Sequence, residues 1–79
     1  MITKFIENYA KLIVSVPEDV VVTKELIDEN FAEITISVNT VDIGKLIGKN
    51  GNMINALKTM ANGYKAKDGI SYKIQVVVK

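Results

Sequence analysis

The sequence predicts one α+β domain spanning residues 1–79, with a three-stranded mixed sheet and three helices on one face. Three observations carry that expectation. Apolar residues recur at three-to-four spacing over residues 2–16, which is helical periodicity. Residues 31–39 and 70–79 alternate with a period of two, which is strand periodicity. Between them a helical pattern is cut in two by Gly48, Lys49, Asn50 and Gly51 and then resumes.

Each element can be justified in order. Ile2, Phe5, Ile6, Tyr9, Leu12, Ile13 and Val16 form one apolar stripe, so a first amphipathic helix is expected with that stripe in the core. Pro17 stops it, because the residue before a proline avoids the helical region. Residues 20–23, rich in β-branched side chains, read as a first strand, and the segment that follows carries an Asp-Glu-Asn turn signal. In the second strand Ala32, Ile34, Ile36 and Val38 point one way, and Phe31, Glu33, Thr35 and Ser37 the other. A short link makes these two strands antiparallel neighbours. Thr40 or Asp42 is expected to cap a short helix whose apolar residues are Ile43, Leu46 and Ile47; Gly44 on that helix points to close approach by the sheet or by a ligand. Met53, Leu57, Met60, Ala61 and Tyr64 then mark a longer helix that ends at Asp68-Gly69, with Gly69 just past its last turn. The last strand is joined to the second by a two-helix crossover, so those two are expected to be parallel. Thr35, Ser37, Lys73 and Gln75 fall on the face away from the helices.

Composition narrows the chemistry. The chain has no Cys and no His, so thiolate metal sites, disulfides, a histidine base and a cysteine nucleophile are excluded. The expectation is a protein that is not an enzyme and has no cofactor. No stretch approaches the roughly 18 apolar residues needed to cross a bilayer, and Lys4, Glu7, Asn8 and Lys11 interrupt any signal-peptide core, so a soluble, cytoplasmic protein is expected. The net charge of +1 conceals an asymmetry: residues 1–40 hold three lysines against seven acids, residues 41–79 seven lysines against two. The basic half contains the G-K-N-G insert, and such a surface suits an anionic partner.

The insert admits four readings. A phosphate-binding loop of the G-x-x-x-x-G-K-[ST] kind fails: Gly44 to Gly48 is one residue short, and Asn50 stands where a hydroxyl should hold magnesium. A β-hairpin at Asn50-Gly51 fails because both flanks have helical periodicity. A bare structural turn would need only one glycine. A nucleic-acid clamp explains both glycines: they let a phosphate chain approach the backbone at the start of the following helix, where free amides and the helix dipole favour anions. Lys49 adds a charge, and Asn50 and Asn52 can hydrogen-bond phosphate or sugar.

Ile47, Gly48, Gly51 and Ile54 fit the pattern I-G-x-x-G-x-x-I, the signature of KH domains, and the α-β-β-α-α-β order resembles the type II, prokaryotic KH fold. A chain made of one such domain resembles the KhpA family of small bacterial RNA-binding proteins. The resemblance implies a clamp of Gly48, Lys49, Asn50 and Gly51 holding about four nucleotides of single-stranded RNA. It implies a base groove of Ile43, Gly44 and Ile47, joined by Ile36, with Lys45 beside it. It further implies an RNA chaperone or post-transcriptional regulator that forms a homodimer or pairs with a KhpB-like KH protein. The alternative is a dimerisation or protein-interaction module with a vestigial nucleic-acid site. All ten cations are lysine and none is arginine, so bidentate phosphate contacts are absent and little base specificity is expected. On this reading Gly48→Asp with Gly51→Asp should abolish RNA binding without unfolding the domain.

Overall fold

The computed structural model describes residues 2–79, and its elements follow the expected order. Helix α1 (Ile2–Ile13) leads through a 3-10 turn at Pro17–Asp19 into strands β1 (Val21–Asp28) and β2 (Phe31–Val38). A second 3-10 turn at Thr40–Asp42 opens helix α2 (Ile43–Ile47). Lys49–Gly51 form a third, and helix α3 (Asn52–Asp68) and strand β3 (Ser71–Val78) complete the domain. The sheet order is β1-β2-β3. Strand β2 pairs antiparallel with β1, Val21 opposite Ser37, and parallel with β3, Phe31 opposite Ser71 through Val38 opposite Val78.

The alternation in β2 sets the core. Ala32, Ile34, Ile36 and Val38 are all fully buried under the helices. Against them pack Ile2, Ile6 and Ala10 of α1, Leu46 of α2, and Leu57 and Ala61 of α3. Each buried leucine or isoleucine contributes roughly 1.5–3 kcal/mol. The opposite face of the sheet carries no helix and is stitched by polar side chains: Gln75 Nε2 donates to Thr35 Oγ1 at 3.0 Å and to Glu33 Oε1 at 3.3 Å.

Three expectations are corrected. The first strand runs to Asp28 rather than ending at Thr23, and Lys24, Glu25 and Asp28 belong to it. It is an edge strand, almost wholly exposed, held by its ladder to β2 and not by burial, so charged residues are tolerated. A bulge between Leu26 and Asp28 and a two-residue turn at Glu29 and Asn30 end it, the Asn30 amide donating to Asp28 Oδ1 at 2.7 Å. Helix α1 stops at Ile13, not Val16, because the amides of Ser15 and Val16 are taken by the carboxylate of Asp42. Its apolar stripe is also not all core: Leu12 is 85% exposed and Phe5 43%.

At the other end of α3 the expectation holds. Gly69 adopts the left-handed conformation, and its amide donates to Lys65 O at 2.8 Å. Asp68 then fixes the entry to β3, accepting from the Ile70 amide at 3.0 Å and the Tyr72 hydroxyl at 2.7 Å. Burial, together with that bond to Asp68, pushes the Tyr72 phenol up to about 12.

Candidate nucleic-acid interface

The insert forms a tight loop between α2 and α3. Helix α2 ends where the Gly48 amide donates to Gly44 O at 2.8 Å. Gly48 itself has φ 78° and ψ 170°, a conformation open essentially only to glycine. Space forbids a side chain there as well: an added Cβ would lie 2.7 Å from the Met53 backbone nitrogen and 2.8 Å from Met53 Cβ. Asn50 (φ 57°, ψ 26°) and Gly51 (φ 76°, ψ 13°) are both left-handed. Asparagine is among the few non-glycine residues that visit that region readily. At Gly51 an added Cβ would make only ordinary contact, 3.7 Å from Asn55 Nδ2. The two glycines therefore have different jobs: Gly48 is required for the loop to form, while Gly51 keeps the entrance to α3 bare.

That entrance suits an anion. Helix α3 is 17 residues long, and Gly51 offers no side chain to cap it. The Asn52 amide is used, bonded to Lys49 O, but the amides after it have no side-chain acceptor. Lys49, Asn50 and Asn52 are exposed around this point. Among the described residues Lys49 makes no ion pair. A positive helix end, unused amides and an unpaired ammonium group converge on one exposed corner, where a phosphate is favoured.

Helix α2 forms the wall beside the loop. Leu46 anchors it in the core with no exposure; Ile43 is half-buried, and Ile47 is 39% exposed. An added Cβ at Gly44 would meet nothing within 4 Å, so the sheet does not approach there and the surface is open to a ligand. One expected member of the groove, Ile36, is placed differently. Ile36 is fully buried beneath the helices, as the alternation of β2 requires, and does not line a groove. Lys45 is tied down, its ammonium donating to Ser15 Oγ and lying 3.7 Å from Asp42 Oδ1.

Asp42 is the residue whose role the sequence did not reveal. It makes no capping bond to α2; the cap of that region is Asn39, which accepts from the Val41 amide at 3.0 Å. The fully buried Asp42 carboxylate instead accepts from the Ser15 amide at 2.8 Å and the Val16 amide at 3.0 Å. Burial works against its ionisation, but those two amides and the Lys45 charge outweigh it and hold the carboxyl below its ordinary range. The carboxylate thus fastens the end of α1 to the start of α2. A second strap is the Tyr9 hydroxyl, which donates to Met53 Sδ at 3.5 Å and joins α1 to the first turn of α3. The loop is held from both sides by α1, and local sequence patterns carry no trace of either contact.

Comparison with known proteins places the chain in a family. Residues 3–76 match the family model described as KhpA/KhpB, KH domain. The chain is 30% identical over 74 residues to the RNA-binding protein KhpA of Listeria monocytogenes serovar 1/2a, covering 94% of this chain and 96% of the relative. It is equally identical to the RNA-binding protein KhpA of Clostridium perfringens (strain 13), where 97% of the relative is covered. Fold, signature and near-complete coverage together establish that the chain belongs to the KhpA/KhpB family of KH-domain proteins.

Proposed function

We propose that this protein binds single-stranded RNA without catalysis, as an RNA chaperone or post-transcriptional regulator, holding the phosphate chain with Gly48, Lys49, Asn50 and Gly51. The observation that carries this reading is the uncapped start of α3 beside an exposed, unpaired Lys49. The relatives named above, each called an RNA-binding protein, support it. Bases would rest on Ile43, Gly44 and Ile47, while Asn50 and Asn52 bond phosphate or sugar. With aliphatic residues and no aromatic platform, and with lysines in place of arginines, binding is weak, salt-dependent and tolerant of sequence. Replacing Lys49 by alanine is expected to reduce the slope of log affinity against log salt by about one contact, read by fluorescence anisotropy on a short oligoribonucleotide. An unchanged slope would mean that Lys49 touches no phosphate.

A second proposal concerns partners. Ala56, Thr59, Gly63 and Ala66 line one exposed, uncharged stripe of α3. Beside it Phe5, Met60, Gly63, Tyr64 and Lys67 surround a cleft of about 260 Å³. Small side chains let a second helix approach closely, and this stripe suits a second copy of the chain or a KhpB-like KH protein. Gly63→Lys adds a long cation where nothing lies within 4 Å of the new Cβ, so the fold is untouched. Sedimentation velocity should show association of the wild-type chain with rising concentration and a persistent monomer for Gly63→Lys. Equal behaviour of the two would remove the stripe as the interface.

A further inference from the structure

The chain contains two Asn-Gly pairs, Asn50-Gly51 and Asn62-Gly63, in opposite surroundings. Asn-Gly is the pairing most open to spontaneous deamidation, because glycine places no side chain in the path of its own backbone nitrogen. That nitrogen attacks Cγ of the asparagine, the new C–N bond closes a five-membered succinimide, and the side-chain nitrogen leaves as ammonia. Water then opens the ring at either carbonyl, giving aspartate or isoaspartate. The net change is one water consumed and one ammonia released, and no other reactant is needed.

Ring closure requires rotation about the asparagine Cα–C bond, so the local backbone decides which pair reacts. Asn62-Gly63 lies inside α3, where the Gly63 amide belongs to the helical ladder and rotation would break several bonds at once. In the loop the Gly51 amide has a single long bond, to Gly48 O at 3.2 Å. Asn50 is exposed and already in the left-handed region, which a non-glycine residue leaves with relief of strain. Among the described residues no side-chain hydrogen bond engages its amide group. An added Cβ at Gly51 would meet only ordinary contacts, the nearest 3.7 Å away at Asn55 Nδ2, so the glycine is not tightly packed.

We propose that Asn50 is a spontaneous deamidation site and that its conversion silences the loop. The product sets a negative charge between Lys49 and the start of α3, where the phosphate would sit, and isoaspartate also adds a methylene to the main chain of a loop that has no slack. This second half rests on the clamp reading of Gly48–Gly51; the chemistry at Asn50 does not.

The test ages the purified full chain at physiological temperature and mildly alkaline pH. Peptide mapping by mass spectrometry then follows both pairs, and the aged protein is compared with fresh protein, Asn50→Asp and Asn50→Gln for binding to a short oligoribonucleotide. Aspartate and isoaspartate should accumulate at Asn50 while Asn62 keeps its amide. Aged protein and Asn50→Asp should bind roughly tenfold or more weakly, as like charge facing phosphate requires. Aged Asn50→Gln should retain the affinity of the fresh Asn50→Gln protein. Equal or no conversion at the two asparagines would overturn the assignment, even if Asn50→Asp still binds poorly and the clamp reading stands. Conversion confined to Asn50 with affinity unchanged would overturn the silencing and the clamp reading together.

Discussion

Replacing Lys49 and Asn50 together by aspartate lowers affinity for single-stranded RNA by roughly a hundredfold, about 3 kcal/mol, and leaves the domain folded. Both side chains are exposed and neither packs in the core. Asn50 is left-handed, a conformation aspartate also tolerates, so the loop keeps its shape. Acidic residues next to a helix N-terminus stabilise it by about 0.3–1 kcal/mol, which favours retention of α3. For a phosphate the same change is severe. It removes the loop's cation, places two negative charges at the corner and occupies the free amides with carboxylate. Anisotropy titration measures the loss, and circular dichroism with thermal melting checks the fold. Wild-type affinity in the folded double variant would remove the loop from the binding surface.

The second large effect falls on stability. Gly48→Ala forces a Cβ to within 2.7 Å of backbone and holds alanine at a φ of 78°. Residues held in such regions cost about 1–3 kcal/mol, and overpacking adds a similar amount. A loss of roughly 2–6 kcal/mol follows, and for a domain of this size each kcal/mol is worth about 4–8 °C in Tm. Gly51→Ala meets only ordinary contacts and carries the left-handed penalty alone, about 1–2 kcal/mol. The paired aspartate substitution that the sequence suggests, at Gly48 and Gly51, would therefore lose binding through a collapsed loop as well as through charge. Melting curves that show Gly48→Ala no less stable than Gly51→Ala would contradict the geometry assigned to Gly48.

Much of the fold was legible because periodicity reports local environment. The alternation of β2 maps onto Ala32, Ile34, Ile36 and Val38, each fully buried, and the glycine after Asp68 closes α3 as its position implies. The same alternation already argued against Ile36 in a groove, since a residue cannot line the sheet's core face and meet a base. The bounds of β1 were missed because an edge strand is held by backbone pairing, which leaves no apolar pattern to read. The function of Asp42 was missed for a different reason. Its partners, Ser15 and Val16, lie 27 and 26 residues away, and a carboxylate near a helix start looks like a cap until the chain is folded. The resemblance places Lys45 beside the groove, and only the folded chain shows that its ammonium engages Ser15 and Asp42. The loop itself was legible through its two glycines, but only three dimensions separate the one that shapes it from the one that opens it.

On the proposed reading, RNA meets the corner formed by Gly48–Gly51 and the first turn of α3. The most direct test of that contact is a backbone amide map by nuclear magnetic resonance during titration with a short single-stranded oligoribonucleotide. The largest shifts should fall on Gly44 and on Gly48 through Ile54, with the outer sheet face at Glu33, Thr35 and Gln75 unmoved. Shifts concentrated on that sheet face or on the α3 stripe from Ala56 to Ala66, with Gly48–Ile54 still, would contradict the account.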